Sequence, residues 1–289
     1  MLVPKNSVKF TKQDVADYYN QTFHQYQRWW KLDKDLSLHY GIWDENTRNF
    51  SEALKNTNRV IAEIASINAG ERVLDAGCGV GGSAIYLAAN HDARVSGVTL
   101  SEKQMQAAIN NSFRFGVNQK TDFRLEDYTK TSFKSSDFDL VLGIESITTA
   151  FNKRSFAKEA NRLLKVNGKL IIADYFKTSS KVEDPEGYLT KLSETWSMAP
   201  IESLDEYIPK FESEGFELIE NHDYTKGVYP TVKRMYISYL LGAIPSIIFN
   251  VFNPKSGKFG KLNYKSGLYQ YKAMQKGYWQ YRILLFEKK

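Results

Sequence analysis

The chain of 289 residues contains one cysteine, Cys78, only four histidines, and no uninterrupted apolar run of about 20 residues. A single cysteine excludes a disulfide framework and a cysteine-rich zinc site, and no metal centre is expected. Without the apolar run there is no convincing membrane span. Polar low-complexity tracts and internal repeats are also missing, and with 42% hydrophobic residues the chain is not a disordered one. The opening Met1-Leu-Val-Pro-Lys-Asn lacks the basic-then-apolar order of a signal peptide, so a cytoplasmic location is expected. A chain of this length buries about 75% of the surface its unfolded form exposes, and needs no disulfides or metals to hold together.

What is present is unevenly spread. Residues 51–174 hold 9 of the 40 aromatics, and the two flanks hold the other 31. Residues 253–289 carry nine Lys/Arg against one acid, Glu287, so the rest of the chain sums to −2 although the whole is +6. A basic, tyrosine-rich tail can contact phosphates or an anionic membrane surface, or can be the solvated face of a lid.

Thr11 through Asp14 reads as a helix cap, followed by an aromatic-studded helix to about Lys31. From Thr47 to Ile67, apolar residues recur at helical spacing. Five short apolar runs follow, at Arg72–Ala76, Arg94–Thr99, Thr121–Leu125, Phe138–Leu142 and Gly168–Ala173. The stretches between them, Ser83–Asn90, Glu102–Phe115 and Lys153–Leu164, are helical in pattern. Strands alternating with helices predict a doubly wound, Rossmann-like α/β sheet. Ser101 with Gln104 predicts a capping box. Beyond Asp174, helices are expected near Gly187–Trp196 and Leu204–Ser213, and an antiparallel finish from strands near Phe216–Tyr224 and Tyr278–Glu287. The expected organisation is a helical cap over 1–46, a core over 47–224, a helical lid insertion over 225–277 and a final strand over 278–289. Within the lid, the apolar run Tyr236–Phe249 is interrupted by Pro245, which suits a buried or interfacial helix and not a spanning one.

Val73-Leu-Asp-Ala-Gly-Cys-Gly-Val-Gly-Gly-Ser83 is a strand, a tight turn and a helix start. Gly77, Gly79 and Gly81 let backbone approach a ligand, and the helix N-terminus offers free N–H groups. The same segment satisfies the dinucleotide pattern through Gly77, Gly79 and Gly82. Its neighbours argue otherwise: Asp75 would repel a pyrophosphate and attract an ammonium, and Thr99 stands where a dinucleotide fold places an acid.

With these residues the chain resembles the class I S-adenosylmethionine-dependent methyltransferases over nearly all of 60–176. The resemblance implies a seven-stranded sheet with an antiparallel last strand and the cofactor across the strand ends. Gly97-Val-Thr-Leu-Ser-Glu-Lys-Gln104 is similar to the second-strand segment of the branch holding sterol, tocopherol and cyclopropane-fatty-acid methyltransferases. There the threonine and glutamine hold the ribose, which implies Thr99 and Gln104. Arg124-Leu-Glu-Asp-Tyr128 is similar to the segment whose acid meets the adenine amino group, implying Asp127. Phe138 through Ser146 is similar to the fourth-strand motif beside the transferred methyl group. Cys78, Leu100, Glu126, Tyr128, Ile144 and the cap residue Tyr40 complete the expected cofactor set.

Relatives that methylate oxygen place a histidine just after this acid, whereas here the chain reads Glu145-Ser-Ile-Thr-Thr-Ala-Phe151. Glu145 is the first catalytic candidate, with Asp174 and Tyr19 beside it, and His39 is the histidine nearest the expected pocket. The aromatic flanks predict a small lipophilic acceptor, such as an isoprenoid, sterol-like, quinol-like or fatty-acyl compound, with carbon favoured over oxygen. The alternatives are N-methylation of a polar amine or phosphobase and a non-catalytic, lipid-associated cofactor-binding scaffold. No Asn-Pro-Pro-aromatic motif or basic-aromatic RNA module is present, so no nucleic-acid partner is expected. Peripheral membrane contact through 225–277 is expected.

Overall fold

Alternate residues of short β-rich segments point to opposite sides of one sheet, and each side buries its own cluster. On β5 (Leu164–Lys177), Ile171, Ala173 and Tyr175 enter one cluster, while Leu170, Ile172 and Phe176 enter the other. β7 (Trp279–Lys288) divides in the same way, with Tyr281, Ile283 and Leu285 facing Leu284 and Phe286 across the sheet. The computed structural model describes residues 10–252 and 258–289, and for 28, 29, 248–252, 258 and 260 the backbone alone. The opening segment that bears on a leader therefore lies outside the described residues.

The other strands are β1 (Arg72–Ala76), β2 (Arg94–Thr99), β3 (Thr121–Leu125), β4 (Phe138–Ile144) and β6 (Phe216–Asp223). Their order is β3-β2-β1-β4-β5-β7-β6, parallel from β3 to β5, with β7 antiparallel to both neighbours. The chain winds outward from β1 to β3 and then returns to the other side of β1 at β4. This reversal opens a crevice at the carboxyl ends of β1 and β4, the usual ligand position in such sheets. β5 is longer than its apolar run because residues 174–177 pair with 279–282 of β7, a partner over a hundred residues away.

Helix α1 (Lys12–Trp30) starts at the predicted cap, where Thr11 and Asp14 bond each other's backbone N–H. α2 (Leu32–Asp35) and α3 (Phe50–Ala65) complete the cap and lead into the sheet. Around the sheet lie α4 (Gly82–Asn90), α5 (Glu102–Arg114), α6 (Lys153–Leu163), α7 (Tyr188–Trp196) and α8 (Leu204–Glu212). Between β6 and β7 come α9 (Thr225–Phe252), α10 (Lys258–Leu262) and α11 (Ser266–Gln275). α9 and α11 share stacked tyrosines, Tyr236 lying on Tyr271 at 4.2 Å.

Two local expectations need correction. Ser101 accepts from the Gln104 N–H, but the Gln104 side chain does not return to the cap; its Oε1 accepts from Thr99 instead. The helix also runs on through Pro245. Pro245 and Leu241, whose carbonyl the proline leaves without a donor, are both exposed, so water can take that bond. No helix among the described residues is long and apolar enough to cross a membrane.

Candidate active site

The crevice depends on close backbone approach at two glycines. Gly77 has φ +94°, and a Cβ there would lie 2.4 Å from the Ser146 Cβ, so only glycine lets the β1 turn lie against the end of β4. At Gly82 an added Cβ would lie 2.0 Å from the Leu36 carbonyl oxygen, so the segment 36–40 rests directly on the start of α4. Cap, glycine turn and strand ends thus enclose one cavity.

On the β1 and β2 side the cavity is lined by Asp75, Gly77, Cys78, Gly79, Thr99, Leu100 and Gln104. Asp75 is 3% exposed, and its Oδ2 has no hydrogen-bond partner. Burial pushes its carboxyl up to about 7, opposed by the Ala84 N–H. Thr99 Oγ1 donates to Gln104 Oε1 at 2.8 Å, which joins the two residues assigned to one ligand group into a single fixture. Burial also pushes the Cys78 thiol well up, which disfavours the thiolate that a nucleophile would need.

Glu145 is the hub of the opposite wall. Its φ of 50° puts a non-glycine residue in the left-handed region immediately after β4, a strain that a functional position tolerates. Its carboxylate receives the Tyr40 N–H at 2.6 Å and the Tyr281 hydroxyl at 2.8 Å on Oε1, and the Tyr175 hydroxyl at 2.8 Å on Oε2. Tyr175 and Tyr281 are register partners on β5 and β7, so both hydroxyls reach the same carboxylate. One side chain therefore ties the cap to two strands. Burial raises the Glu145 carboxyl to about 8, against the three donors that favour its charged form.

Aromatic rings form the rest of the wall. Tyr18, Tyr19, Tyr26 and Trp30 of α1 line it together with Tyr40, Tyr175 and Trp196, and the Tyr40 ring lies 5.6 Å from that of Tyr175 and 6.4 Å from that of Trp196. The Tyr40 hydroxyl donates to Gln270 of α11, and Met235 of α9 also lines the cavity, so the lid takes part in closing it. Burial raises the Tyr19 hydroxyl far above its ordinary range and keeps it protonated. His39 Nδ1 lies 2.9 Å from the Tyr40 carbonyl, an acceptor only, so the proton sits on Nδ1. Its Nε2 is left as a buried lone pair without a partner, and burial lowers the ring to about 4. Four of the six unpartnered buried side-chain polar atoms among the described residues, on Trp30, His39, Asp75 and Trp196, belong to this lining. Such concentration marks a site waiting for ligand donors and acceptors.

Of the residues singled out in the sequence, Tyr128 and Ile144 also line the cavity, and four residues do not. Asp174 is buried with both oxygens engaged, by the N–H groups of Thr148 and Tyr175, and Lys153 on the same turn donates to the Thr148 and Ala150 carbonyls. Asp174 thus shapes the turn 147–149 and is not among the residues that line the cavity. Glu126 accepts from Ser132, and Gly81 caps α4 from behind the turn. Asp127 is ion-paired with Lys12 and bonded by Thr129; these outweigh burial and hold its carboxyl low. Residues that sequence reasoning missed include Tyr175, Trp196, Met198 and Met235. The aromatic excess of the flanks was the signal for Tyr175 and Trp196, and nothing in the sequence marked the two methionines.

An unpartnered buried carboxylate suits the ammonium of a methionine group, a paired hydroxyl and amide suit a ribose, and the glycine turn leaves room for backbone approach. Fold and site together define a class I S-adenosylmethionine-dependent methyltransferase. The family model for mycolic acid cyclopropane synthetase matches residues 7–240, and the chain belongs to that family. It is similar to 27-O-demethylrifamycin SV methyltransferase of Amycolatopsis mediterranei (strain S699), at 28% identity covering 68% of this chain and 72% of that one. It is also similar to the sterol 24-C-methyltransferase erg6 of Aspergillus fumigatus, at 28% identity over 71% of this chain and 54% of that one. Among solved structures, the cyclopropane synthase MmaA2 from Mycobacterium tuberculosis superposes with a TM-score of 0.82 at 15% identity, over 98% of this chain and 100% of that one, which shows the shared fold.

Proposed function

We propose that the enzyme methylates a carbon, at a double bond, of a small lipophilic acceptor such as an isoprenoid, sterol-like, quinol-like or fatty-acyl compound. The observation that carries this reading is an aromatic cavity gathered around one buried carboxylate, Glu145, with no lysine or arginine among its described lining residues. S-Adenosylmethionine supplies an electrophilic methyl group and, at its sulfonium, a positive charge. Methylation of an alkene leaves a cation on the acceptor; ring faces stabilise such a charge, and a carboxylate does so more strongly. Glu145, held by three donors, is ready to receive a proton from the carbon next to that cation through Oε2, its less encumbered oxygen. A positive charge beside it favours its ionised form against the burial that raises it. Asp75 is proposed to hold the cofactor ammonium, and the Thr99–Gln104 pair its ribose hydroxyls.

A phosphobase acceptor fits poorly, because no cationic side chain lines the cavity to meet a phosphate. A hydroxyl acceptor is the second reading, carried by the unpartnered His39 Nε2. With its ring lowered to about 4, His39 is a better hydrogen-bond acceptor than proton acceptor. Incubation with labelled S-adenosylmethionine and a lipid extract tests the two together. We expect label in the organic phase as a new carbon-bound methyl by NMR. A methyl ether, reduced by His39→Gln, would establish the second reading, and absence of any organic-soluble product would overturn both.

A further inference from the structure

Helix α9 presents a surface that the cavity does not use. Beyond Met235, the residues Ile237, Leu240, Leu241, Ile244 and Ile247 recur at three- and four-residue steps and so share one stripe of the helix. They are five of the eleven exposed large hydrophobic residues among the described part, with Leu241 77% and Ile244 71% exposed. An apolar stripe of this extent marks an interaction face. The second observation is charge. Residues 225–277 contain nine lysines and arginines and no aspartate or glutamate, so the remainder of the chain sums to −3.

Stripe and charge together select the occupant. A nucleic acid would match the cations and leave the aliphatic side chains unburied. A second copy of this chain would match the stripe and set one acid-free lid against another, with like charges opposed. An anionic lipid surface satisfies both, because an interfacial helix buries its apolar face at the headgroup boundary while nearby cations meet the lipid phosphates. We infer that the lid docks on an anionic membrane surface through the α9 stripe. Because Met235 of the same helix lines the cavity, docking sets one wall of that cavity, α9, against the phase in which a lipophilic acceptor dissolves. Delivery of the acceptor rests on the proposed function; docking itself does not.

The test is flotation of the full chain with phosphatidylcholine vesicles, with and without phosphatidylglycerol, at low and high salt. Wild type is expected to float with the anionic vesicles and to bind neutral ones roughly tenfold more weakly, with high salt giving a similar loss. The double variant Leu241→Asp, Ile244→Asp is expected to lose at least about tenfold in partitioning. Both positions are solvent-exposed, and unchanged S-adenosylhomocysteine affinity would show that the variant folds. Equal flotation of variant and wild type, or no flotation of wild type, would overturn the proposal. So would a wild-type dimer in sedimentation that the variant dissolves, which would assign the stripe to a second copy. Vesicle binding without methylation of any lipid-soluble acceptor would instead overturn the functional reading and leave docking in place.

Discussion

The two halves of the cavity are built from different materials. Asp75, the glycine turn, Thr99, Leu100 and Gln104 come from about 30 consecutive residues at the ends of adjacent parallel strands, and Asp75 is left with an unsatisfied oxygen. Tyr40, Glu145 and Tyr175 come from the cap, from the residue after β4 and from β5, and their polar groups, with the hydroxyl of Tyr281 on β7, are turned on one another. One half is a polar socket formed by local turns. The other is an aromatic wall whose hydrogen bonds tie the cap to the strands. The socket offers one unpartnered carboxylate oxygen, and the wall offers ring faces with the unpartnered nitrogens of Trp30, His39 and Trp196.

The largest expected effect separates the halves at Glu145. Glu145→Gln keeps the shape and removes the base; turnover is expected to fall by roughly 10²–10⁴, with S-adenosylhomocysteine affinity by calorimetry nearly unchanged. If affinity falls as far as turnover, the two halves are not separable and Glu145 serves mainly to seat the cap. Asp75→Asn should do the reverse, weakening cofactor binding by on the order of 10- to 100-fold, as loss of a charge-assisted hydrogen bond implies. The same change should raise the melting temperature of the cofactor-free protein at pH 8, because a buried carboxyl raised to about 7 disfavours the fold once ionised. Gln104→Ala should weaken cofactor binding by roughly three- to tenfold, the worth of one neutral hydrogen bond.

pH sharpens the comparison further. Glu145 sits at about 8 against an ordinary 4.5, so the folded state holds its proton longer than the unfolded chain. Its contribution to stability is full below about 4.5 and is lost as pH rises through 8. Thermal melts of the cofactor-free protein should therefore decline over that window, less steeply in Glu145→Gln. kcat/KM should rise with pH to a plateau above about 8 if the ionised carboxyl is the base, and the smallest expected effect is the disappearance of that limb in the same variant.

Much of the fold was legible along the chain. β1, β2 and β3 begin and end where the sequence pattern places them; β1 and β2 are buried over most of their length, as parallel strands covered on both faces are, whereas the edge strand β3 buries only Phe123. The apolar run Gly168–Ala173 stops at the charged Asp174, whereas β5 continues to Lys177 because 174–177 pair with 279–282 of β7. In the site, residues tied to a turn were readable and those tied to a distant partner were not. Asp174 resembled a catalytic acid by type and position, yet the Thr148 and Tyr175 N–H groups use it to shape a turn. The resemblance implies Asp127 as an adenine-binding acid, and the structure pairs it with Lys12 of the cap and leaves it out of the cavity lining. Pro245 read as an interruption because sequence cannot show that the carbonyl it leaves free is open to water.

The sequence by itself determined the doubly wound α/β core, the glycine turn with Asp75, the Thr99 and Gln104 positions and the concentration of aromatics in the flanks. These features are local: each follows from period, turn chemistry or spacing within a few tens of residues. Only the tertiary structure decided that Tyr40, Tyr175 and Tyr281 converge on Glu145, that His39 keeps a bare Nε2 and that Asp174 is taken up by the Thr148 and Tyr175 N–H groups. Those outcomes depend on the pairing of β5 with β7 and on the cap resting on Gly82, contacts between residues far apart in the chain. No local preference encodes them, and they set the dielectric and hydrogen bonding that give each carboxyl its character.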